Sequence, residues 1–179
     1  MKTKAQLFLY LICLPWNLTI AWPAILCIRL LWGTNLRWEM PPAPLPGGAV
    51  LACDLRPNSW PARTWYKPWG GTTLGHGIFY GAHVNKAGVW GRVQAHEHVH
   101  VEQFEVAMFG SFFSGTSIWA VFSGLGHGGL SVLVGMLLWW VGGLLAVLGG
   151  TMVALMRGES PYRGSAHEES AYAQTDREP

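Results

Sequence analysis

Nine consecutive residues, Ala95-His96-Glu97-His98-Val99-His100-Val101-Glu102-Gln103, hold the side chains of this sequence best suited to chemistry. They contain the pattern H-E-x-x-H. In a helix turning about 100° per residue, His96 and His100 stand about 40° apart on one face. Both imidazoles can then reach a single metal ion. Glu97 beside them is placed to take a proton from metal-bound water, whose pKa zinc lowers to about 7. His98 points to the opposite face and reads as a surface histidine. The flanking residues Val93, Gln94, Ala95, Val99, Val101 and Phe104 include no Gly or Pro, so a helix can run through the motif.

A zinc site of this type needs a third protein ligand. The tail offers Glu168-Glu169-Ser170-Ala171-Tyr172, an E-x-x-A-Y string in a stretch near 167–174 that reads as helical. With these two motifs the sequence resembles the gluzincin branch of the zinc metallopeptidases, where a Glu on a later helix joins H-E-x-x-H. The resemblance implies His96, His100 and Glu168 as ligands of one zinc ion per chain, with Glu97 as the catalytic base. Tyr172 stands where many members carry Asp. Glu169 and His167 are alternative third ligands, because a one-residue helix shift would exchange them with Glu168. His127, in the Gly126-His127-Gly128 turn, is a further alternative. The segment order also resembles the membrane-embedded HtpX and CaaX prenyl endopeptidase families, in which a transmembrane hairpin separates the two motif helices. That resemblance implies a mainly α, integral membrane protein with a zincin-like core.

The elements that must position these residues follow from composition. Of 179 residues, half are hydrophobic and 12% are charged, against about 25% charged in a soluble domain. Eleven Trp and 23 Gly point the same way, toward a membrane protein. A net charge of +2 gives no basic stripe, so nucleic acid is excluded as a partner. Cys13, Cys27 and Cys53 form no CxxC pair and no disulfide framework.

Residues 1–32 read as an uncleaved N-terminal membrane anchor, apolar from Gln6 to Trp32 except at Asn17, Thr19 and Arg29. Pro15 and Pro23 leave open a kinked single span or a re-entrant hairpin. Residues 33–105 form a Pro/Trp-rich membrane-surface segment that ends in the motif helix. Residues 40–48 are extended, and Trp60, Trp65 and Trp69 lie among Arg56, Arg63 and Lys67. Such a mixture suits the headgroup layer or the underside of a small domain. Residues 77–84 and 89–90, around 85–88, read as a small β-hairpin upstream of the motif. Residues 106–156 form a transmembrane hairpin, with a Gly/Ser-rich span at 106–125. Its second span, 130–156, has 27 residues without a charge, where about 20 suffice to cross. About three transmembrane segments result, and two crossings return Glu168 to the side of His96. Residues 157–179 are a polar tail. Gly135, Gly142 and Gly149 recur every seven residues and offer a strip for helix–helix self-association.

Ten of the 12 Lys/Arg residues lie in or beside the 33–105 segment and the tail. Positive-inside logic therefore places the H-E-x-x-H side of a multi-pass protein in the cytoplasm. The expected activity is zinc-dependent hydrolysis of peptide bonds in a membrane-associated peptide or protein substrate. The alternative is a non-catalytic membrane structural or assembly protein with an incidental or vestigial motif. An ion carrier is disfavoured, because 130–156 contains no ionisable residue to mark a path.

Overall fold

Residues 4–31 wind into one unbroken helix despite two prolines. In this computed structural model, which describes residues 4–41, 48–64, 70–84, 90–158 and 166–175, helix α1 (Lys4–Trp16) leads into a π-helical turn (Asn17–Ala21) and then helix α2 (Trp22–Leu31). The backbone stays right-handed helical at Trp16, Ala21 and Trp22, and the Trp22 N–H donates to Asn17 O, five residues back. The Thr19 hydroxyl donates to the carbonyl of Pro15 at 2.7 Å. The wide turn thus absorbs what the prolines disrupt. The re-entrant hairpin left open by the sequence does not form, and Lys4 lies at the opposite end of this helix from Gly33.

The helix packs on a four-stranded sheet, β1 (Gly33–Glu39), β2 (Val50–Leu55), β3 (Gly71–Leu74) and β4 (Gly77–Tyr80), in the order β1-β2-β4-β3. β1 is antiparallel to β2, β2 parallel to β4, and β4 antiparallel to β3. All six residues of β2 are buried, as a strand covered on both faces must be. Val50 and Ala52, with Ile78 and Tyr80, pack under Val101, Trp90 and Val93 of helix α4 (Trp90–Gly124). Leu51 and Cys53, on alternate positions, pack against Ile25, Trp22 and Ile28 of α2. Period-two alternation in one strand thereby joins the first helix to the motif helix.

The β-hairpin lies earlier than its expected place. Gly77–Tyr80 is a strand, but it pairs with β3 before it, through a tight turn at Gly75-His76 where Gly75 adopts φ +58°. A left-handed residue there suits glycine. Residues 81–84 turn away, 85–89 lie outside the described residues, and Trp90 is the first residue of α4. Its ring is tilted against Tyr80 at 4.7 Å and faces the Arg37 guanidinium at the same distance, so it packs, partly buried, against the core. The short helix α3 (Trp60–Arg63) precedes β3, and Trp65, Lys67 and Trp69 lie outside the described residues.

The chain forms two compact units, 1–102 with 171–179, and 103–170. In the second unit, α4 and helix α5 (Gly128–Met156) run antiparallel, since Ser111 meets Gly142, Gly115 meets Gly135 and Ser123 meets Ser131. A Cβ added at Gly135 would stand 2.8 Å from the Gly115 carbonyl oxygen. Gly135 and Gly142 are therefore engaged with α4 of the same chain, in the close backbone approach that small residues allow. The surroundings of Gly149 lie outside the described residues. Helix α6 (Ala166–Thr175) follows. Among the described residues, two helices are long and apolar enough to cross a membrane: Lys4–Leu31 and Trp90–Gly124.

Gly135→Val drives a branched side chain into the Gly115 backbone and should destabilise the protein by about 1–3 kcal/mol. Gly110→Ala, where an added Cβ meets nothing within 4 Å, should stay within about 0.5 kcal/mol of wild type. Thermal melts in detergent compare the two.

Candidate metal centre

Four successive residues of α4, His96, Glu97, His98 and Val99, are buried, so their side chains leave the helix in different directions into different surroundings. His96 and His100 lie one turn apart. Their Nε2 atoms face each other at 3.2 Å, with the two rings edge to face. Two nitrogens about 2.0–2.1 Å from one tetrahedral zinc would lie about 3.3 Å apart, so the pair has the separation that a shared ion requires.

Helix α6 brings the third donor. Its second half belongs to the first unit, where Ala171 is fully buried and the Tyr172 ring packs on the His96 ring at 4.6 Å between centroids. Glu168 sits one helical turn before Tyr172 and so on the same side of α6. The ligand atoms of His96, His100 and Glu168 all lie within 4.8 Å of one another. His100 and Glu168 are half-buried. The group could hold a metal ion. Among the alternatives, Glu169 is exposed and His127 is exposed in the turn between α4 and α5; neither belongs to the group found among the described residues. The side chain of His167 lies outside the described residues.

Glu97 is held by β3. Its Oε2 accepts a hydrogen bond from Thr73 Oγ1 at 2.7 Å, and the same hydroxyl lies 3.1 Å from the Glu97 carbonyl oxygen. A Cβ at Gly71 would stand 2.7 Å from Glu97 Oε1, so the missing side chain of Gly71 makes room for the carboxylate. Thr73 and Gly71 carry no signal in the sequence, since Gly-Thr-Thr-Leu reads only as a short strand.

His98 is not a surface residue. It is 2% exposed, and its Nε2 lies 3.3 Å from Oε2 of Glu39, on β1. The same carboxylate accepts from Tyr80 OH at 2.7 Å, Gln94 Nε2 at 3.1 Å and Arg37 Nε at 2.8 Å. Arg37 also donates to Asp54 Oδ1 at 2.9 Å. Burial alone would raise the Glu39 pKa, but His98, Tyr80, Gln94 and the Arg37 charge outweigh it and hold the carboxyl at about 2. Burial, and then the neighbouring Glu39 carboxylate, pushes the Tyr80 phenol far upward, so it acts as a hydrogen-bond donor only. The Cys53 thiol is pushed up to about 11 by burial and by Asp54, which leaves it unreactive at neutral pH.

No protein-family model, curated protein or solved structure matches this chain. The reading of the site therefore rests on its own geometry.

Replacing Glu39 by Gln removes the charge that Arg37 and His98 face, and should cost about 2–3 kcal/mol of stability. The folded pKa of about 2 lies below the ordinary 4.5, so the Glu39 contribution is complete above pH 4.5 and is lost as pH falls toward 2. Melting temperature against pH should drop through that window in wild type. In Glu39→Gln the drop should be shallower.

Proposed function

We propose that this chain is a membrane-embedded, zinc-dependent peptidase with His96, His100 and Glu168 as the metal ligands. The observation that carries the reading is the facing pair of Nε2 atoms at 3.2 Å, with the Glu168 carboxylate within 4.8 Å. A bound zinc ion would polarise the scissile carbonyl and acidify the attacking water. Glu97 adjoins His96 in the chain. With zinc bound, it would be placed to take a proton from the attacking water and pass it to the leaving amine. Thr73 orients the carboxylate through its hydroxyl, which donates to Glu97 Oε2 at 2.7 Å.

The substrate is an extended peptide. β3 is an outer strand of the sheet and carries the partners of Glu97, and an outer strand offers backbone N–H and C=O groups to a further strand. The substrate is also membrane-associated. Val106 lies six positions, about 9 Å of helix, beyond His100, and there the exposed apolar face of α4 begins with Val106, Phe109 and Phe113. In this reading α5 is a third crossing beside 4–31 and 90–124. Within the second unit α5 runs antiparallel to α4, and its 29 residues are long enough to cross. The H-E-x-x-H side faces the cytoplasm, where most of the cationic residues cluster.

Metal content by elemental analysis of detergent-purified protein tests the reading. About one zinc per chain is expected in wild type and in Glu97→Gln, and its loss in His100→Ala. Glu97→Gln should lower peptide hydrolysis at least 100-fold while keeping its zinc. Folded wild-type protein without zinc would leave a membrane structural protein instead.

A further inference from the structure

The His96 ring has aromatic neighbours from two helices. The His100 ring meets it edge to face at 4.8 Å, from one turn along α4. The Tyr172 ring lies tilted at 47° with its centroid 4.6 Å away, from α6. An imidazole that ligates through Nε2 must hold its ring plane steady, usually by a polar group on the far nitrogen. Here a phenol ring packs on the imidazole from a second helix. Tyr172 also follows Glu168 by one turn, so the contact that steadies His96 sets the rotation of α6 that points Glu168 at the same place. Ala171, fully buried beside it, seats the helix, while Tyr172 keeps 38% of its surface exposed.

We propose that Tyr172 is a positioning residue of the metal centre: its ring clamps the His96 imidazole in ligating orientation and registers Glu168 against the same ion. The inference rests on the metal reading above and concerns its affinity. The ring acts by packing, so the hydroxyl is dispensable and the aromatic face is not.

Zinc affinity of the full chain in detergent, measured by competition with a chromophoric chelator, tests it. Tyr172→Ala should bind zinc at least 10-fold more weakly than wild type, within the 10–100-fold range that groups supporting a metal ligand command. Tyr172→Phe should stay within about twofold. Tyr172→Leu keeps apolar bulk without the ring and should be weak like the alanine variant. It stands in for that variant should the smaller side chain loosen α6. Melting temperatures of the metal-free proteins separate a folding defect from a metal defect, and folded alanine or leucine variants should melt near wild type. Wild-type affinity in both of these folded variants would overturn the clamp while leaving the zinc site standing. A phenylalanine variant as weak as the alanine one would overturn it too, because the hydroxyl would then be the acting group. Wild-type protein with no zinc affinity would remove the metal reading and the clamp together.

Discussion

The buried Glu39 carboxylate sets the rotation of α4, and the first unit depends on it. A helix with four successive buried residues has no free face by which hydrophobicity alone could choose its orientation. Val93 and Val101 bring α4 to the sheet, but apolar packing tolerates small rotations. A carboxylate held at about 2 by four partners does not, since turning the helix would strand a buried charge. With His98 and Gln94 committed to Glu39 on the sheet side, His96 and His100 must point away from it. The middle histidine of the three thus orients the outer two.

The sheet orders the other side of the site through its outer strand. β3 owes its place to the Gly75-His76 turn, and that turn is itself anchored to the N-terminal helix. The Asn17 side chain bonds the His76 ring Nδ1 at 2.8 Å and accepts from the His76 backbone N–H at 3.1 Å. Both residues are fully buried, so breaking the pair would leave polar atoms without water. The π-helical turn carries Asn17 into this contact, as π-turns often do at sites with a task. A chain of buried polar contacts therefore runs from Asn17 through the hairpin turn to β3, whose Thr73 holds Glu97. An apolar N-terminal segment that could serve only as an anchor is also part of the core.

The second unit is organised by absence of side chain. Gly115 and Gly135 place backbone against backbone, and Gly142 leaves space for Ser111. The outer surfaces of these helices remain apolar and exposed, at Phe113, Leu130, Leu133, Leu137 and Met152 among others. A surface of that kind in one long helical hairpin suits lipid better than water.

Whatever depends on neighbours along the chain was legible in the residues alone. The i, i+4 spacing of His96 and His100 brings two imidazoles together in any α-helix, and Glu168 and Tyr172 share a side of α6 for the same reason. Long apolar runs set the helices, and Gly135 and Gly142 marked a close helix approach, although the partner is α4 of the same chain. The remaining features arise only on folding. The pairs Glu39–His98, Thr73–Glu97 and Asn17–His76 are 59, 24 and 59 residues apart, and each joins short polar side chains with no periodic signature. Whether a histidine is exposed or buried depends on what packs against its helix, and so His98 read as surface. Whether two prolines end a helix depends on whether a wider turn can keep the backbone helical between them. Periodicity records local geometry; the pairing of buried polar atoms is a property of the folded chain, because only folding removes the water that would otherwise satisfy them.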